Sequence, residues 1–413
     1  MAGSQAAAYD VCVIGAGLVG TAAAKYLACR GLRVVLLGLD EASGARGACY
    51  DEGRIYRIVD PDIVWARLAE ASIGRYPAIQ SEADRSFFHE CGFLTFGDPA
   101  TTYMQRTVEL VRSGGAGTEG CVFLEGRDAL EGRFPWLQLP PVAHEWLGIF
   151  QPTHAGHLSP RQMLAAQEHI AGLHGAARLR NEAAAVRHRT GGGFLVQTGE
   201  GSTVAAEKVL LAAGAKSFVL PDLLPPGMQQ LDAQLITSQA VLFQVDPQTA
   251  PADMPVLIYH GREDPAQRFY ILPPIRYPNG SIYLKIGYDG EALRRPLTNA
   301  AEVDAWFAAG VCDSAVVTTA REHGLSLFKG LALAGPEGHV VCVTDRTCPG
   351  EERHRPFIDS PAPGYFVAVG GNGWAAKSAD EIGRLAGALV AGEPDWGPDL
   401  PREAFRARPR ASL

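Results

Sequence analysis

The chain has 413 residues, too many for one simple core and enough for two interleaved domains. Hydrophobic residues make up 47% and charged residues 20%, a balance typical of globular proteins. The formal net charge of −8 argues against a nucleic-acid binder, because those proteins usually present a basic face. None of the 8 cysteines stands in a C-x-x-C pair, so the sequence predicts no metal site and reduced, intracellular thiols.

The first residues, MAGSQAAAYD, contain neither a basic region followed by a long apolar run nor a cleavage signal. The next apolar stretch, VCVIGAGLVGTAAA, is too short and too rich in glycine to span a bilayer. We therefore expect a soluble, cytoplasmic monomer without membrane or nucleic-acid partners. The final ASL is similar to a peroxisomal address ending in leucine but lacks its basic middle residue, which makes a peroxisomal location the alternative.

Residues 9 to 37 predict a strand, a glycine turn, a helix and a second strand. YDVCVIGAG is a short β-branched run, GTAAAKYLACRG is an alanine-rich helix that ends at Gly31, and LRVVLL is a second buried strand. Within GAGLVG, Gly15 permits the tight turn, Gly17 lets the backbone approach a pyrophosphate, and Gly20 lets helix and strand pack closely. The motif therefore predicts dinucleotide binding at the helix N-terminus.

One position of this unit departs from the usual pattern. An acidic residue normally ends the second strand and binds the ribose hydroxyls, but Gly38 stands there. Asp40 or Glu41 follows two or three residues later and is the candidate that reaches back. If neither does, the ribose is held by another group.

The rest of the chain alternates between helical and strand-rich segments. The stretch PDIVWARLAEASIGRYPAIQSEA predicts a helix, residues 232 to 330 predict antiparallel strands, and the end returns to strand, glycine loop and helix. We predict a mixed α/β fold in which a Rossmann-like nucleotide domain is interleaved with a mainly antiparallel β-sheet substrate domain. The predicted divisions are 1–85, 150–228 and 332–395 for the nucleotide domain, 86–149 and 229–331 for the substrate domain, and 396–413 for a C-terminal tail.

The order of motifs distinguishes a flavin from a nicotinamide cofactor. A nicotinamide enzyme would normally follow the first unit with further parallel βαβ units, whereas this chain leaves for a strand-rich insertion and returns twice. Five motifs appear in sequence, namely VIGAGLVG, GRIYRI, VLLAAGA, YLKIGYDG and GNGWAAK. Together they resemble the FAD-dependent amine and amino-acid oxidoreductases of the DAO type, in the branch that contains the monomeric sarcosine oxidases.

Two arginines, Arg54 and Arg57, stand in ACYDEGRIYRI at a spacing that places them on one side of a helical turn. A surface pair bound to a carboxylate is one interpretation, since the planar guanidinium grips carboxylates with two parallel hydrogen bonds. The resemblance implies separate roles, with Arg57 binding the substrate carboxylate and Arg54 lying against the flavin. The branch usually has threonine where Gly53 stands, so one hydroxyl contact is missing.

Two lysines are also candidates. Lys377 follows the glycine loop at a helix start, where a cation is poorly placed for the helix dipole, although an exposed first-turn lysine is the alternative. The resemblance implies that Lys377 is the second ligand of the substrate carboxylate. Lys285 interrupts an apolar strand and is either an edge-strand lysine or a functional group. The resemblance implies that it lies over the flavin and stabilises developing superoxide.

Cys342 lies before a turn that is similar to the site of covalent flavin attachment in this branch. An insertion follows it, so covalent attachment and a small buried residue at a strand end remain alternatives. Cys348 is the weaker candidate. The predicted catalytic residues are Lys285, Arg57 and Lys377. The predicted cofactor-binding residues are Gly15, Ala16, Gly17, Leu18, Val19, Gly20, Asp40, Arg46, Arg54, Ala184, Gly214, Cys342, Gly371, Asn372, Gly373 and Lys377.

The resemblance implies an FAD-dependent oxidase of a secondary amine, N-methyl amino acid or cyclic imino acid that carries a carboxylate. Hydride transfer to FAD and reoxidation by oxygen would give hydrogen peroxide. One alternative is a flavin dehydrogenase of the same fold that passes electrons to another acceptor, and another is a non-catalytic flavin-binding assembly factor. The branch often carries histidine where Asp289 stands, and no general base stands out among His89, His260 and Asp289.

Overall fold

The strands of the protein fall into three sheets. The structure is a computed structural model that describes residues 9–42, 47–261, 268–351, 354–393, 396 and 400–410. The strands are β1 Tyr9–Ile14, β2 Val34–Leu37, β3 Arg54–Tyr56, β4 Phe88–Glu90, β5 Phe93–Gly97, β6 Val122–Glu125, β7 Leu147–Gln151, β8 Gly156–Leu158, β9 Ala177–Leu179, β10 Ala183–His188, β11 Phe194–Thr198, β12 Thr203–Leu211, β13 Ala233–Gln244, β14 Val256–His260, β15 Arg268–Arg276, β16 Ile282–Tyr288, β17 Pro296–Leu297, β18 Gly338–Thr347, β19 Phe357–Ala362 and β20 Tyr365–Val369.

The helices lie mainly around the first sheet and between strands of the second. They are α1 Leu18–Cys29, α2 Ile63–Ile73, α3 Tyr76–Ala83, α4 Thr102–Arg112, α5 Gly126–Arg133, α6 Pro160–Leu173, α7 Ala300–Ala309, α8 Ser314–Thr319 and α9 Ala379–Ala391. The stretch that predicts one helix after residue 60 is two helices, because α2 stops at Gly74 and Pro77 stands in the first turn of α3. No helix of the described residues is long and apolar enough to cross a bilayer.

The first sheet contains the predicted βαβ unit. Among the described residues it has eight strands, of which β10, β11, β12, β1, β2 and β9 lie side by side in that order, and β20 adds to β12 and to β19. The central strand β1 runs parallel to both β2 and β12, with Val13 opposite Leu36 and Leu210. Parallel strands covered on both faces read as continuous apolar runs, which explains the fully buried VCVI segment of β1.

The second sheet is mainly antiparallel, as predicted. Its nine strands among the described residues follow the order β17, β13, β16, β15, β14, β5, β7 and β6, with β18 paired to β13. Only β14 and β5 pair in parallel within the described ladders of this sheet. The mixed α/β fold is therefore confirmed. The domain boundaries remain a prediction, and sheet membership departs from them at β18, which follows position 332 yet pairs with β13 along its length.

A small third sheet joins β3, β8 and β4 and supports the segment that carries Arg54 and Arg57. Next to the nucleotide sheet, α9 packs closely on α1. A side chain at Gly383 would place its Cβ 2.3 Å from the Cβ of Ala22, so only glycine permits this approach. The packing sets the position of α9, whose preceding turn carries Lys377.

A buried ion-pair cluster fixes the start of α9. Asp380 is fully buried and accepts hydrogen bonds from Lys25 at 2.6 Å, from Arg75 at 2.7 Å and from the hydroxyl of Tyr26 at 2.9 Å. Burial alone would raise the pKa of Asp380, but Lys25 and Arg75 hold it below its usual value. The carboxylate therefore contributes stability above about pH 4, and the contribution is lost as the pH falls further.

Replacing this carboxylate tests its contribution to the fold. Asp380→Ala leaves Lys25 buried without a counter-charge, and we expect a loss of about 3–5 kcal/mol in the free energy of unfolding, measured with urea at pH 7. The control is Glu393→Ala, which removes an exposed partner of Arg30 near the end of the same helix and should produce no resolvable change. Equal losses in the two variants would contradict this account.

Candidate cofactor and substrate site

A cavity of about 1430 Å³ is lined by residues from both large sheets and from the loops between them. Pockets for a single small molecule usually measure about 300–1,000 Å³. The cavity therefore has room for a large cofactor together with a small substrate. Of the predicted site residues, those that line it are Gly15, Ala16, Gly17, Leu18, Val19, Arg54, Arg57, Gly214, Cys342, Gly371, Asn372, Gly373 and Lys377.

The first glycine loop requires its glycines for packing. Gly15 has a φ of +109°, and a Cβ there would lie 2.3 Å from the carbonyl oxygen of Ala212. A Cβ at Gly20 would lie 1.8 Å from the carbonyl oxygen of Gly15, so with any larger residue at position 20 the first turn of the helix could not pack this closely against the glycine turn. Gly17 caps α1 without a side-chain hydrogen bond. The N-terminal end of α1 thus faces the cavity with backbone donors and a positive dipole end, which suits an anion.

The end of β2 shows why an acidic residue is missing there. A Cβ at Gly38 would lie 2.7 Å from the backbone nitrogen of Ala16, because the strand end approaches the glycine loop closely. Asp40 pairs with Arg180, and Glu41 pairs with Arg161 at 2.7 Å. Among the described residues, the cavity lining includes Leu39 but neither of these two carboxylates. A ribose contact by Asp40 remains a prediction.

Two other predicted cofactor residues, Arg46 and Ala184, are not among the described residues that line the cavity. Arg46 lies outside the described residues. Ala183, rather than Ala184, lines the cavity at the start of β10. Both assignments remain predictions.

The second glycine loop follows β20 and is held by β18. Asn372, at a φ of +54°, accepts a hydrogen bond through its side-chain oxygen from the Thr347 backbone at 2.9 Å. The backbone of Asn372 donates to Asp345 at 3.0 Å. Burial raises the pKa of Asp345 to about 6, although backbone N–H donors, among them those of Gly371 and Asn372, oppose the rise. The loop therefore presents its backbone to the cavity from a rigid support.

Arg54 and Lys285 share one buried carboxylate, Asp51. The Lys285 ammonium lies 2.5 Å from Asp51 and donates to the carbonyl of Gly53 at 3.0 Å, and Arg54 contacts the same carboxylate oxygen. Burial, followed by the charge of Arg54, holds the pKa of Lys285 well below its usual value. The 2.5 Å contact with Asp51 opposes this shift by favouring the ammonium form. Arg54 lines the cavity, and Lys285 lies behind it, outside the lining formed by the described residues. A Lys285 position over the cofactor remains a prediction.

The glycine at position 53 packs against two side chains of the second sheet. A Cβ at Gly53 would lie 2.8 Å from the Cδ2 of Leu272 and 2.9 Å from the Cδ1 of Ile275, both on β15. A threonine here would require both side-chain ends to shift. The carbonyl of Gly53, rather than a hydroxyl, serves as the local acceptor for Lys285.

Arg57 and Lys377 converge in space, with Asp60 between them. Asp60 accepts from Arg57 at 2.9 Å and from Lys377 at 2.5 Å, and all three side chains are buried. Burial and the charge of Arg57 lower the pKa of Lys377 to about 8, while Asp60 opposes that change. Both cations line the cavity. Two positive charges against one negative charge leave one net positive charge here.

The two aspartates are functional candidates that sequence reasoning missed. Asp51 precedes Arg54 by three residues, and Asp60 follows Arg57 by three residues. This repeated spacing of opposite charges was the available signal. The lysine partners could not be found in this way, since they lie hundreds of residues away.

Cys342 on β18 lines the cavity, as Cys49 does, whereas the buried Cys348 is not part of the described lining. Burial raises the pKa of the Cys342 thiol, and Arg54 and Lys285 oppose that rise. The residue is less buried than Cys348. Of the two cysteines weighed for covalent attachment, Cys342 is the one that lines the cavity, and the attachment itself remains a prediction.

The DAO family of FAD dependent oxidoreductases matches residues 10–389 of the chain. Monomeric sarcosine oxidase from Bacillus sp. (strain B-0618) is 25% identical over 209 residues, which are 50% of this chain and 51% of that enzyme. The chain therefore spans about half the length of the curated relative that it matches.

Solved structures share the fold over nearly the whole chain. The open form of NikD, an unusual amino acid oxidase essential for nikkomycin biosynthesis, has a TM-score of 0.76 at 23% identity and covers 97% of this chain and 98% of its own. L-proline dehydrogenase from P. horikoshii has a TM-score of 0.75 at 16% identity and covers 97% of each chain. Iminodiacetate oxidase from Chelativorans sp. BNC1 has a TM-score of 0.70 at 18% identity and covers 97% and 100%. At these identities the likeness shows the fold.

The Asp60 cluster supports a stability prediction. Asp60→Ala leaves Arg57 and Lys377 buried together without a counter-charge, and we expect the free energy of unfolding in urea to fall by about 3–5 kcal/mol. Added acetate should recover more stability in this variant than in the parent protein, because it supplies the missing carboxylate. Glu70→Ala, which breaks a partly exposed pair with Arg67 in α2, serves as control. Equal acetate effects in variant and parent would contradict the shared-carboxylate account.

Proposed function

The chain belongs to the DAO family of FAD dependent oxidoreductases, and we propose that it oxidises a secondary amine, an N-methyl amino acid or a cyclic imino acid that carries a carboxylate. The observation that carries this proposal is the convergence of Arg57 and Lys377 on one wall of the cavity. Their net positive charge suits a carboxylate next to the reacting carbon. The names of the relatives, sarcosine oxidase and amino acid oxidase, support the same substrate class.

The residues of the cavity fit FAD. Gly15 and Gly17 leave room for a pyrophosphate at the end of α1, where backbone donors face the cavity. Gly371 and Gly373 line it from the second glycine loop, and Arg54 adds a charged side chain to the same lining. When bound, FAD supplies the two-electron oxidation of the carbon–nitrogen bond, and oxygen restores it with release of hydrogen peroxide.

The substrate carboxylate is held by residues that are already rigid. Arg57 donates to Asp60 through Nη1, and the ring of Phe93 lies 5.0 Å below the guanidinium. Tyr76 donates to the carbonyl of Lys377 at 2.7 Å, which fixes the turn that bears the lysine. Little side-chain freedom is lost on binding, so the two cations orient the amine for oxidation.

Anaerobic mixing tests the activity directly. We expect N-methyl or cyclic amino acids to bleach the yellow absorbance of the purified holoprotein, and the absence of bleaching with a full panel of amines would favour a non-catalytic flavin-binding protein. Acid precipitation of the same sample tests the covalent link, because colour retained in the pellet indicates attachment.

Lys285 distinguishes an oxidase from a dehydrogenase. In Lys285→Met we expect anaerobic bleaching to continue while the rate of reoxidation by oxygen falls on the order of a hundredfold, because a preorganised positive charge is lost. Stopped-flow absorbance measures both rates. Lys329→Met, which changes an exposed lysine, is the control. An unchanged oxygen rate in Lys285→Met would favour the dehydrogenase, which passes its electrons to another acceptor.

The lowered pKa of Lys377 predicts how ligand affinity changes with pH. A carboxylate ligand such as acetate should bind with constant affinity near pH 6 to 7 and lose roughly tenfold in total as the pH rises through about 8, because Lys377 becomes neutral. Calorimetric titration of the holoprotein between pH 6 and 10 measures this. Lys377→Met should bind weakly at every pH, and a flat profile of the parent protein through pH 8 would refute the assignment.

A further inference from the structure

We propose that the cavity contains a second anion site, formed by Arg268 and His260, and that the substrate is a dicarboxylic amine. One carboxylate would bind at Arg57 and Lys377, and the second, further along the substrate, at Arg268 and His260. The assignment of a dicarboxylic amine as substrate rests on the proposed oxidase function. The anion site at Arg268 and His260 does not depend on that function.

Arg268, the first residue of β15, forms no ion pair with another described residue, although its charge influences the pKa values of Asp289 and Glu291. It lines the cavity, and its Nε is buried without a hydrogen-bond partner. None of the ion pairs or side-chain hydrogen bonds among the described residues includes the Arg268 side chain. The residue as a whole is partly buried, and its guanidinium remains charged at every physiological pH, so it can bind an anion that enters the cavity. In this cavity the anion can come from a ligand.

His260 lies directly beside Arg268, because the two residues face each other in the β14–β15 ladder. Its side chain lines the cavity, is 6% exposed and stacks on Tyr103 with 3.9 Å between ring centroids. Its Nε2 is buried without a hydrogen-bond partner. Burial and the charges of Arg268 and Arg57 lower its pKa to about 3, so a neutral imidazole offers one N–H donor to a ligand oxygen.

The charges around Arg268 leave a second net positive charge. Arg294 pairs with Asp289 at 2.8 Å and with Glu291 at 3.4 Å, and Arg346 pairs with Glu291 at 2.7 Å. All four line the same cavity. Together with Arg268 they amount to three guanidinium groups and two carboxylates. One positive charge therefore remains, separate from the one that remains at Asp60.

The two positive groups belong to one continuous region. Tyr103 and Asp289 both lie close enough to Arg57 to influence its pKa, and both line the cavity. The pyrophosphate site at the end of α1 belongs to the other sheet, so it does not account for the charge of Arg268. A ligand with two carboxylates matches both charges, whereas a monocarboxylate leaves Arg268 without an anion.

Binding of unreactive acids to the purified holoprotein tests the site. The probes are the unbranched dicarboxylates from malonate to adipate, each compared by calorimetry with the monocarboxylate of the same chain length. We expect at least one dicarboxylate to bind on the order of tenfold more tightly than its monocarboxylate, since a hydrogen bond to a charged group contributes that much. Equal affinities throughout the series would overturn the proposal.

Variants assign the preference to residues. Arg268→Gln should bind the preferred dicarboxylate no better than its monocarboxylate, and Arg268→Lys should retain part of the preference by keeping the charge. His260→Gln should reduce the preference severalfold. The control Arg276→Gln lies at the other end of β15, where the Arg276 side chain donates to the nearby Gly280 carbonyl, and it should change nothing. A dicarboxylate preference that survives in both Arg268 variants at full strength would refute the site.

The outcomes separate this inference from the oxidase proposal. If no amine bleaches the flavin but dicarboxylates bind preferentially through Arg268, the oxidase proposal fails and the second anion site stands. If monocarboxylic amines bleach the flavin and dicarboxylic amines offer no gain in KM, the oxidase stands and the second site fails.

Discussion

Two buried carboxylates, each shared by two cations, hold the candidate site together. Asp51 and Asp60 bind the arginines that stand three residues away in the chain, and each also binds a lysine from a distant element. A buried cation without a partner would be strongly destabilising. One shared carboxylate satisfies two cations and leaves one positive charge in the protein, so each cluster is stable without a ligand and still suited to an anion.

The same clusters connect the layers of the fold. Lys285 comes from β16 of the antiparallel sheet, 234 residues after Asp51, and Lys377 comes from the turn before α9, 317 residues after Asp60. The segment around β3 is therefore bonded both to the antiparallel sheet and to the turn before α9. Its position also depends on α9, which Gly383 and the buried Asp380 hold against α1. Substitutions far from the cavity that move α9 will therefore change the position of Lys377 in the site.

The sequence predicted the local backbone conformation at positions where only glycine can adopt that conformation. Gly15 and Gly20 stand where a Cβ would strike the backbone, so the loop, the strand before it and the helix after it follow from the motif. Apolar runs likewise predict the parallel core and the alternating second sheet. The helix break at Gly74 was missed because a glycine within an apolar, helical pattern is often tolerated. No feature of the sequence accounts for the glycine at position 38, which the close approach of the Ala16 backbone explains.

The sequence by itself determined the glycine loop after β1, because the backbone geometry that requires glycine is a local property. The pairing of Arg57 with Lys377 was predicted from the resemblance to the amine and amino-acid oxidoreductases. The tertiary structure decided which charges are neutralised. It placed Asp60 between the two cations, and it placed Arg268 beside His260 with no ion pair to another described residue. Ion pairing depends on separations of a few ångströms between residues hundreds of positions apart, and no spacing in the chain encodes those separations.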